Sequence, residues 1–137
     1  MTCNSSRQVV RDELIDEFLI GIGKKYEHAV VDCRLGFLHI PQSLPVYQDI
    51  DPEIAARRHF NDIKTYEDRD YETYEAALAG HKARREADCK RYQLRYGVDI
   101  TDLKHYRVVV NSGDPHNVPQ RIADKIIVEF KLLPLVA

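Results

Sequence analysis

Val108-Val109-Val110 leads directly into Asn111 and a turn carrying Gly113 and Pro115. Three β-branched residues in succession favour a strand, because their stiff side chains suit a pleated surface better than a helix. Consecutive residues of a strand point to opposite faces, so an unbroken apolar run needs cover on both sides. That requirement selects a parallel sheet packed between helices. Ala29-Val30-Val31, followed by Asp32-Cys33-Arg34, reads as a second buried strand with polar residues at its C-terminal edge. Val46 to Ile50 is a weaker strand, since Gln48 and Asp49 interrupt its apolar pattern.

Elsewhere the period changes to that of a helix. Leu14, Ile15, Phe18, Leu19 and Ile22 recur on one side of a segment from Asp12 to Tyr26, which breaks near Gly21 and Gly23. Phe37 to Leu44, with Pro41 inside it and Pro45 after it, reads as a loop. Asp51-Pro52 supplies a side-chain cap and a first-turn proline for a helix running to about Ile63. Thr65 to Tyr71 is dense in charge and expected at the surface. Helix formers then dominate from Tyr71 to Tyr96, with Gly80 as a point of weakness and Gly97 as a stop. On this helix Ala83, Ala87 and Leu94 are expected to seat against the core. Asn117 is placed to cap a last helix through Leu133, buried along Val118, Ile122, Ile126, Phe130 and Leu133. Strands alternating with helices predict one α/β domain over residues 1–137, with a mostly parallel sheet flanked by helices.

Composition narrows the function classes. Apolar and charged fractions of 44% and 31% are ordinary for a globular chain. No stretch approaches the roughly 20 apolar residues of a membrane span, and Met1 to Asp12 has no secretory core, so the expected location is the cytoplasm. Cys3, Cys33 and Cys89 form no C-x-x-C pair and no metal-ligand spacing, which predicts reduced thiols and no metal site. A net charge of −2 gives no global field for nucleic acid. Glu86 and Asp88 also argue against a nucleic-acid-binding helix over residues 82–95. Any anion this chain binds must be gripped by local arginines.

Those arginines concentrate in Arg84-Arg-Glu-Ala-Asp88-Cys-Lys-Arg91-Tyr-Gln-Leu-Arg95-Tyr-Gly97. At about 100° per residue, Arg84, Asp88, Arg91 and Arg95 share a narrow helical arc. Guanidinium forks match phosphate oxygens in bidentate fashion, and a carboxylate accepts from ribose hydroxyls. The same spacing also describes a solvated helix face laced with weak ion pairs.

Arg91-Tyr-Gln-Leu-Arg-Tyr-Gly97-Val-Asp99-Ile-Thr-Asp102, followed by Tyr106-Arg-Val-Val-Val-Asn111, resembles the C-terminal end of the cytidylate kinases, the (d)CMP kinases of the P-loop NTPase superfamily. Val30-Val31-Asp32-Cys33-Arg34-Leu35 resembles that family's strand ending in a phosphate-contacting arginine. Asp51-Pro-Glu-Ile-Ala-Ala-Arg57-Arg58 resembles the helix leading into its mobile lid. The resemblance spans about Asp12 to Leu133. It implies the acceptor-binding and lid part of a three-layer kinase fold whose reaction is ATP- and Mg²⁺-dependent phosphoryl transfer to CMP or dCMP. By the same resemblance Arg34, Arg84 and Arg91 hold phosphate and neighbouring ribose oxygens, and Asp88 accepts from the sugar or base. Arg57 or Arg58 comes near the transferring phosphoryl group. The chain departs from the family's pattern at Cys89, which follows Asp88 where an acidic residue is usual, and at Val46-Tyr-Gln-Asp-Ile50, where an apolar strand is usual.

No G-x-x-x-x-G-K-[ST] occurs in the chain, so the resemblance covers a kinase without the loop that cradles ATP phosphates. Gly21-Ile-Gly23-Lys24-Lys25 has neither the spacing nor the Ser/Thr, and reads as a helix end. The resemblance also implies that the first, central strand of the sheet is missing, between the strands at Ala29–Val31 and Val46–Ile50. Such a chain is expected to be a fragment, to self-associate, or to be completed by a separate segment. An alternative expectation is a non-catalytic nucleotide-binding or assembly module derived from such a kinase.

Overall fold

The computed structural model describes residues 3–61 and 71–132, and the side chains within them from residue 8 onward. Helix α1 spans Cys3–Lys25, and a short helix α2 spans Gly36–His39. Strand β1 is Val46–Asp49, followed by helices α3, Pro52–Asn61, and α4, Tyr74–Tyr96. After a 3₁₀ turn at Leu103–His105 come strand β2, Val108–Asn111, and helix α5, Pro119–Lys131. The fold is α/β, with helices around a small parallel sheet. Among the described residues β1 and β2 pair in parallel, with Val46 opposite Val108 and Asp49 opposite Asn111.

The valine run forms its strand as expected. Val108 and Val110 face the interior and are buried, while Val109 on the other face is half-covered. Lys125 of α5 donates to the Val109 carbonyl at 3.0 Å. Ser112 locks the strand ends together, giving both its amide (2.8 Å) and its hydroxyl (2.9 Å) to the Asp49 carbonyl.

Ala29–Val31 does not form the expected strand. A strand needs a partner about 4.8 Å away, and this segment has none among the described residues. Val31 and Cys33 instead pack on a core of Leu19, Leu35, Ile40 and Tyr92, while Val30 is fully exposed at 105%. The weaker candidate, Val46–Ile50, is the one that pairs, because β2 offers it a ladder.

Helix boundaries follow their capping chemistry. Asp51 Oδ1 accepts from the amides of Glu53 (2.8 Å) and Ile54 (3.3 Å) at the start of α3. Thr73 Oγ1 accepts from the Ala76 amide at 3.2 Å and opens α4. Gly97 closes α4 with φ of 69°, the left-handed conformation that glycine adopts without penalty. Gly80 introduces no break. Its backbone gives the Tyr71 ring space that any Cβ would fill.

Three packing expectations are corrected. On α1 the buried side is Asp12 and Leu19, flanked by half-buried Gln8, Asp16 and Ile22, whereas Leu14, Ile15 and Phe18 are exposed. On α4 the covered residues are Ala77, Asp88 and Tyr92, whereas Ala83 and Ala87 are exposed and Leu94 is 89% exposed. In both helices the side turned to the α1–α4 seam is largely polar, and the apolar residues beside it have no cover among the described residues. The third correction concerns Asn117, which does not cap α5 but sends its amide to the Asn111 carbonyl at 2.9 Å, leaving Val118 as an uncapped N-terminus. Val118 and Phe130 stay exposed, Ile122 and Ile126 are half-buried, and Leu133 lies outside the described residues. So do the C-terminal end expected for α3 and the charge-dense stretch except Tyr71.

Candidate functional site

The seam between α1, α4 and the turn before α2 gathers Arg34, Arg91 and Arg95 with the buried acids Asp12 and Asp88. Asp88, in the middle of α4, is 7% exposed. Its Oδ1 lies 3.1 Å from Arg91 Nη2, one turn on, and its Oδ2 lies 3.4 Å from Arg34 Nε. Arg34 follows the unpaired Val31–Cys33 segment, and its side chain is half-exposed. Arg91 Nε in turn stands 3.4 Å from Asp12 Oδ2 of α1, an electrostatic contact too far off-line to be a hydrogen bond. Arg91 Nη2 donates to the Tyr92 hydroxyl at 2.8 Å, and the guanidinium carbon lies 4.6 Å from the centre of the Tyr92 ring. Gln8 Nε2 donates to Asp12 Oδ1 at 3.1 Å and ends the row. From Gln8 to Arg34 the charges alternate: carboxylate, guanidinium, carboxylate, guanidinium.

A second cluster lies one turn further along both helices. Arg95 Nη2 approaches Glu13 at 3.6 Å and Asp16 at 3.8 Å, and Arg95 Nε donates to the Tyr96 hydroxyl at 2.9 Å. That hydroxyl donates to Asp16 Oδ2 at 2.6 Å. His39 of α2 sets Nε2 3.0 Å from Asp16 Oδ1 and its ring edge-on to Tyr96.

The structure therefore brings Arg34, Asp88 and Arg91 into one constellation. Arg84 sits one turn before Asp88 on the same helix and is half-buried. Arg57 and Arg58 are not part of it. Both are exposed on α3, and Arg57 stacks on the Tyr74 ring at 5.4 Å. They lie in the second half of α3, which runs to Asn61.

Sequence reasoning missed Asp12, Asp16, Tyr96 and His39. Gln8, Asp12, Asp16 and Leu19 share one arc of α1, so two acids in line with a buried leucine were the available signal. A helix face carrying acids at that spacing reads as solvated until an arginine-rich partner helix is set against it. The consequence is chemical. The arginine stripe is not a bare cationic surface, because its own carboxylates already neutralise Arg91 and Arg95. Desolvation works against the Arg91 charge, but the Tyr92 hydroxyl, Asp12 and Asp88 outweigh it and hold the guanidinium above its ordinary value. Arg34, half-exposed and paired with Asp88, is the group best placed to meet an incoming anion.

Two tyrosines titrate far from their usual range. Burial first, then the bond to Asp16, pushes the Tyr96 hydroxyl up from 10.0 to about 12, against the opposing pull of Arg95. Burial, with Tyr47 and Asp99 adding to it, pushes Tyr106 to about 12; its hydroxyl donates to the Ile100 carbonyl at 2.8 Å. A folded-state value above the unfolded one means that stability is complete below pH of about 10 and falls as pH rises towards about 12. Absorbance titration, with Tyr96→Phe and Tyr106→Phe to assign the signals, should find these two phenolates forming only as the fold is lost. Ionisation of either at about pH 10 in the folded chain would contradict this.

A shallow open groove lined by Cys89, Lys90, Gln93, Leu94, Asp99 and Thr101 lies elsewhere on α4 and contains none of these arginines. No helix among the described residues is long and apolar enough to cross a membrane.

No family model and no solved structure matches the chain. Over 120 residues, 88% of its length, it is 29% identical to an S-adenosylmethionine-dependent nucleotide dehydratase of Lacinutrix mariniflava, covering 23% of that protein. Over 45 residues, 33% of its length, it is 36% identical to a cytidylate kinase of Methanothrix thermoacetophila, covering 26% of it. The chain thus spans about a quarter of each relative by length.

Proposed function

We propose that this chain forms the acceptor-nucleotide part of a cytidylate-kinase-like nucleoside monophosphate kinase fold. Arg34 meets the phosphate of CMP or dCMP at the open end of the seam, with Arg91 and Arg84 behind it. Asp88 accepts from the sugar or base, and Arg57 or Arg58 approaches the transferring phosphoryl group from α3. The observation that carries this reading is the convergence of Arg34 and Arg91 on one buried carboxylate, Asp88. A fork pair fixed by a shared acid presents donors in a preset geometry, which is what oriented recognition of a phosphate needs. Both relatives carry names that refer to nucleotides or a nucleotide kinase, which agrees with it.

The Gly21–Lys24 segment does not fit the phosphates of ATP. Gly21, Gly23 and Lys24 lie within α1, so their backbone amides belong to a helix and not to an open loop. The nearby helix end presents carbonyls, which repel anions. Among the described residues no group of three or more His, Cys, Asp or Glu gathers to hold a metal such as Mg²⁺. The acceptor's phosphate oxygen is itself the nucleophile in such a transfer, so this part of the fold needs to supply positioning and charge and no general base. Residues 1–137 alone are accordingly expected to bind CMP without turning over ATP, a complementing segment supplying the donor half.

Thermal unfolding with and without CMP tests the reading. CMP should raise the melting temperature of the wild type. Arg34→Ala should weaken CMP binding by about 1.5–3 kcal/mol, the worth of a charged hydrogen-bonding partner, or roughly 10- to 150-fold. An unshifted melting temperature in the wild type would contradict it. A second reading, a non-catalytic nucleotide-binding or assembly module, draws on the missing phosphate loop and on the exposed Leu14, Phe18 and Val30. It predicts self-association or partner capture, with no ATP turnover even after a complementing segment is added.

A further inference from the structure

Arg91 is a long, flexible side chain, and on its own helix its polar partners among the described residues are Asp88 and Tyr92. Asp88 holds the fork at Nη2 and gives its other oxygen to Arg34, which leaves the Nε end of Arg91 to a partner on another helix. Asp12 comes from a different helix, stands at the stem end of the guanidinium, and is 6% exposed. At that burial it is out of reach of a ligand. Its other oxygen is taken by Gln8, which leaves Oδ2 turned to Arg91. A buried carboxylate persists only where a countercharge or hydrogen bonds compensate it, and among the described residues these are Gln8 and Arg91. We propose that Asp12 is a positioning residue: it sets the orientation of Arg91 across the α1–α4 seam and so determines how Arg91 meets the acceptor phosphate.

The proposal rests on the nucleotide reading for its ligand, but its structural half can be tested without one. Asp12→Asn keeps the shape and an oxygen for Gln8 while removing the charge. The readout is the Arg91 Nε–H resonance in ¹⁵N spectra, assigned by its loss in Arg91→Lys. In the wild type it should be resolved and slow to exchange with water. In Asp12→Asn it should exchange at least tenfold faster and merge with mobile arginines, and CMP affinity should fall about 5- to 20-fold. Gln8→Ala, which leaves the charge but releases its orientation, should give an intermediate result, and it serves if Asp12→Asn does not fold. An unchanged Arg91 signal in a folded variant overturns the proposal, as does undiminished CMP affinity alongside a loosened Arg91. Failure of the wild type to bind CMP would defeat the nucleotide reading; the Arg91 signal then decides this proposal by itself.

Discussion

Arg91→Ala should lower the free energy of unfolding by about 3 kcal/mol, the lower end of the range for removing one partner of a buried ion pair. The lower end applies because the Arg91 side chain is 30% exposed. Two acids are orphaned by this one change: Asp12 and Asp88 are 6% and 7% exposed, and each loses a principal countercharge. Restoring neutrality should recover much of the loss, so Arg91→Ala combined with Asp12→Asn should be more stable than Arg91→Ala alone. That non-additivity separates an electrostatic role from a packing one. Urea unfolding of the four chains measures it. Strict additivity would show that Asp12 and Arg91 are neighbours without being partners.

Leu19→Ala should cost about 2–5 kcal/mol, as for other fully buried leucines. Leu19 is 2% exposed and belongs to the buried cluster with Leu35, Ile40 and Tyr92. Net stabilities of folded domains run to only about 5–15 kcal/mol, so this substitution should bring the chain close to unfolding. Phe18→Ala next to it should change stability by no more than about 0.5 kcal/mol, because Phe18 is 65% exposed. Melting curves of the pair test which side of α1 faces inward. Equal losses would mean that α1 is rotated from the orientation described.

The contrast between Phe18 and Leu19 shows what the sequence could and could not reveal. Local signals found α1 from Asp12 onward, the valine strand, and the long helix, expected from Tyr71 and beginning at Tyr74, with its stop at Gly97. They missed the Cys3–Arg11 part of α1 and set a break at Gly21 and Gly23 that the helix does not have. Apolar spacing misjudged which sides of α1 and α4 are buried, because the apolar stripe of α1 has no partner to cover it among the described residues. Ala29–Val31 failed as a strand for the same reason: its residues are suited to a ladder, but pairing depends on a neighbour, which no local pattern supplies. Of the candidate site, the arginine arc and Asp88 could be read from helical periodicity. Asp12, Asp16 and His39 could not, since their role exists only once α1 and α2 are laid against α4. Arg57 and Arg58 were placed by resemblance to a lid helix, and they stand on α3, away from the seam.

Calorimetric titration of the wild-type chain with CMP, repeated with cytidine under the same conditions, bears most directly on the central claim that Arg34 and Arg91 around Asp88 receive a nucleotide's phosphate. Saturable heat with one CMP per chain, and none with cytidine, is the predicted outcome. Equal heats from the two ligands, or no heat from CMP, would contradict it.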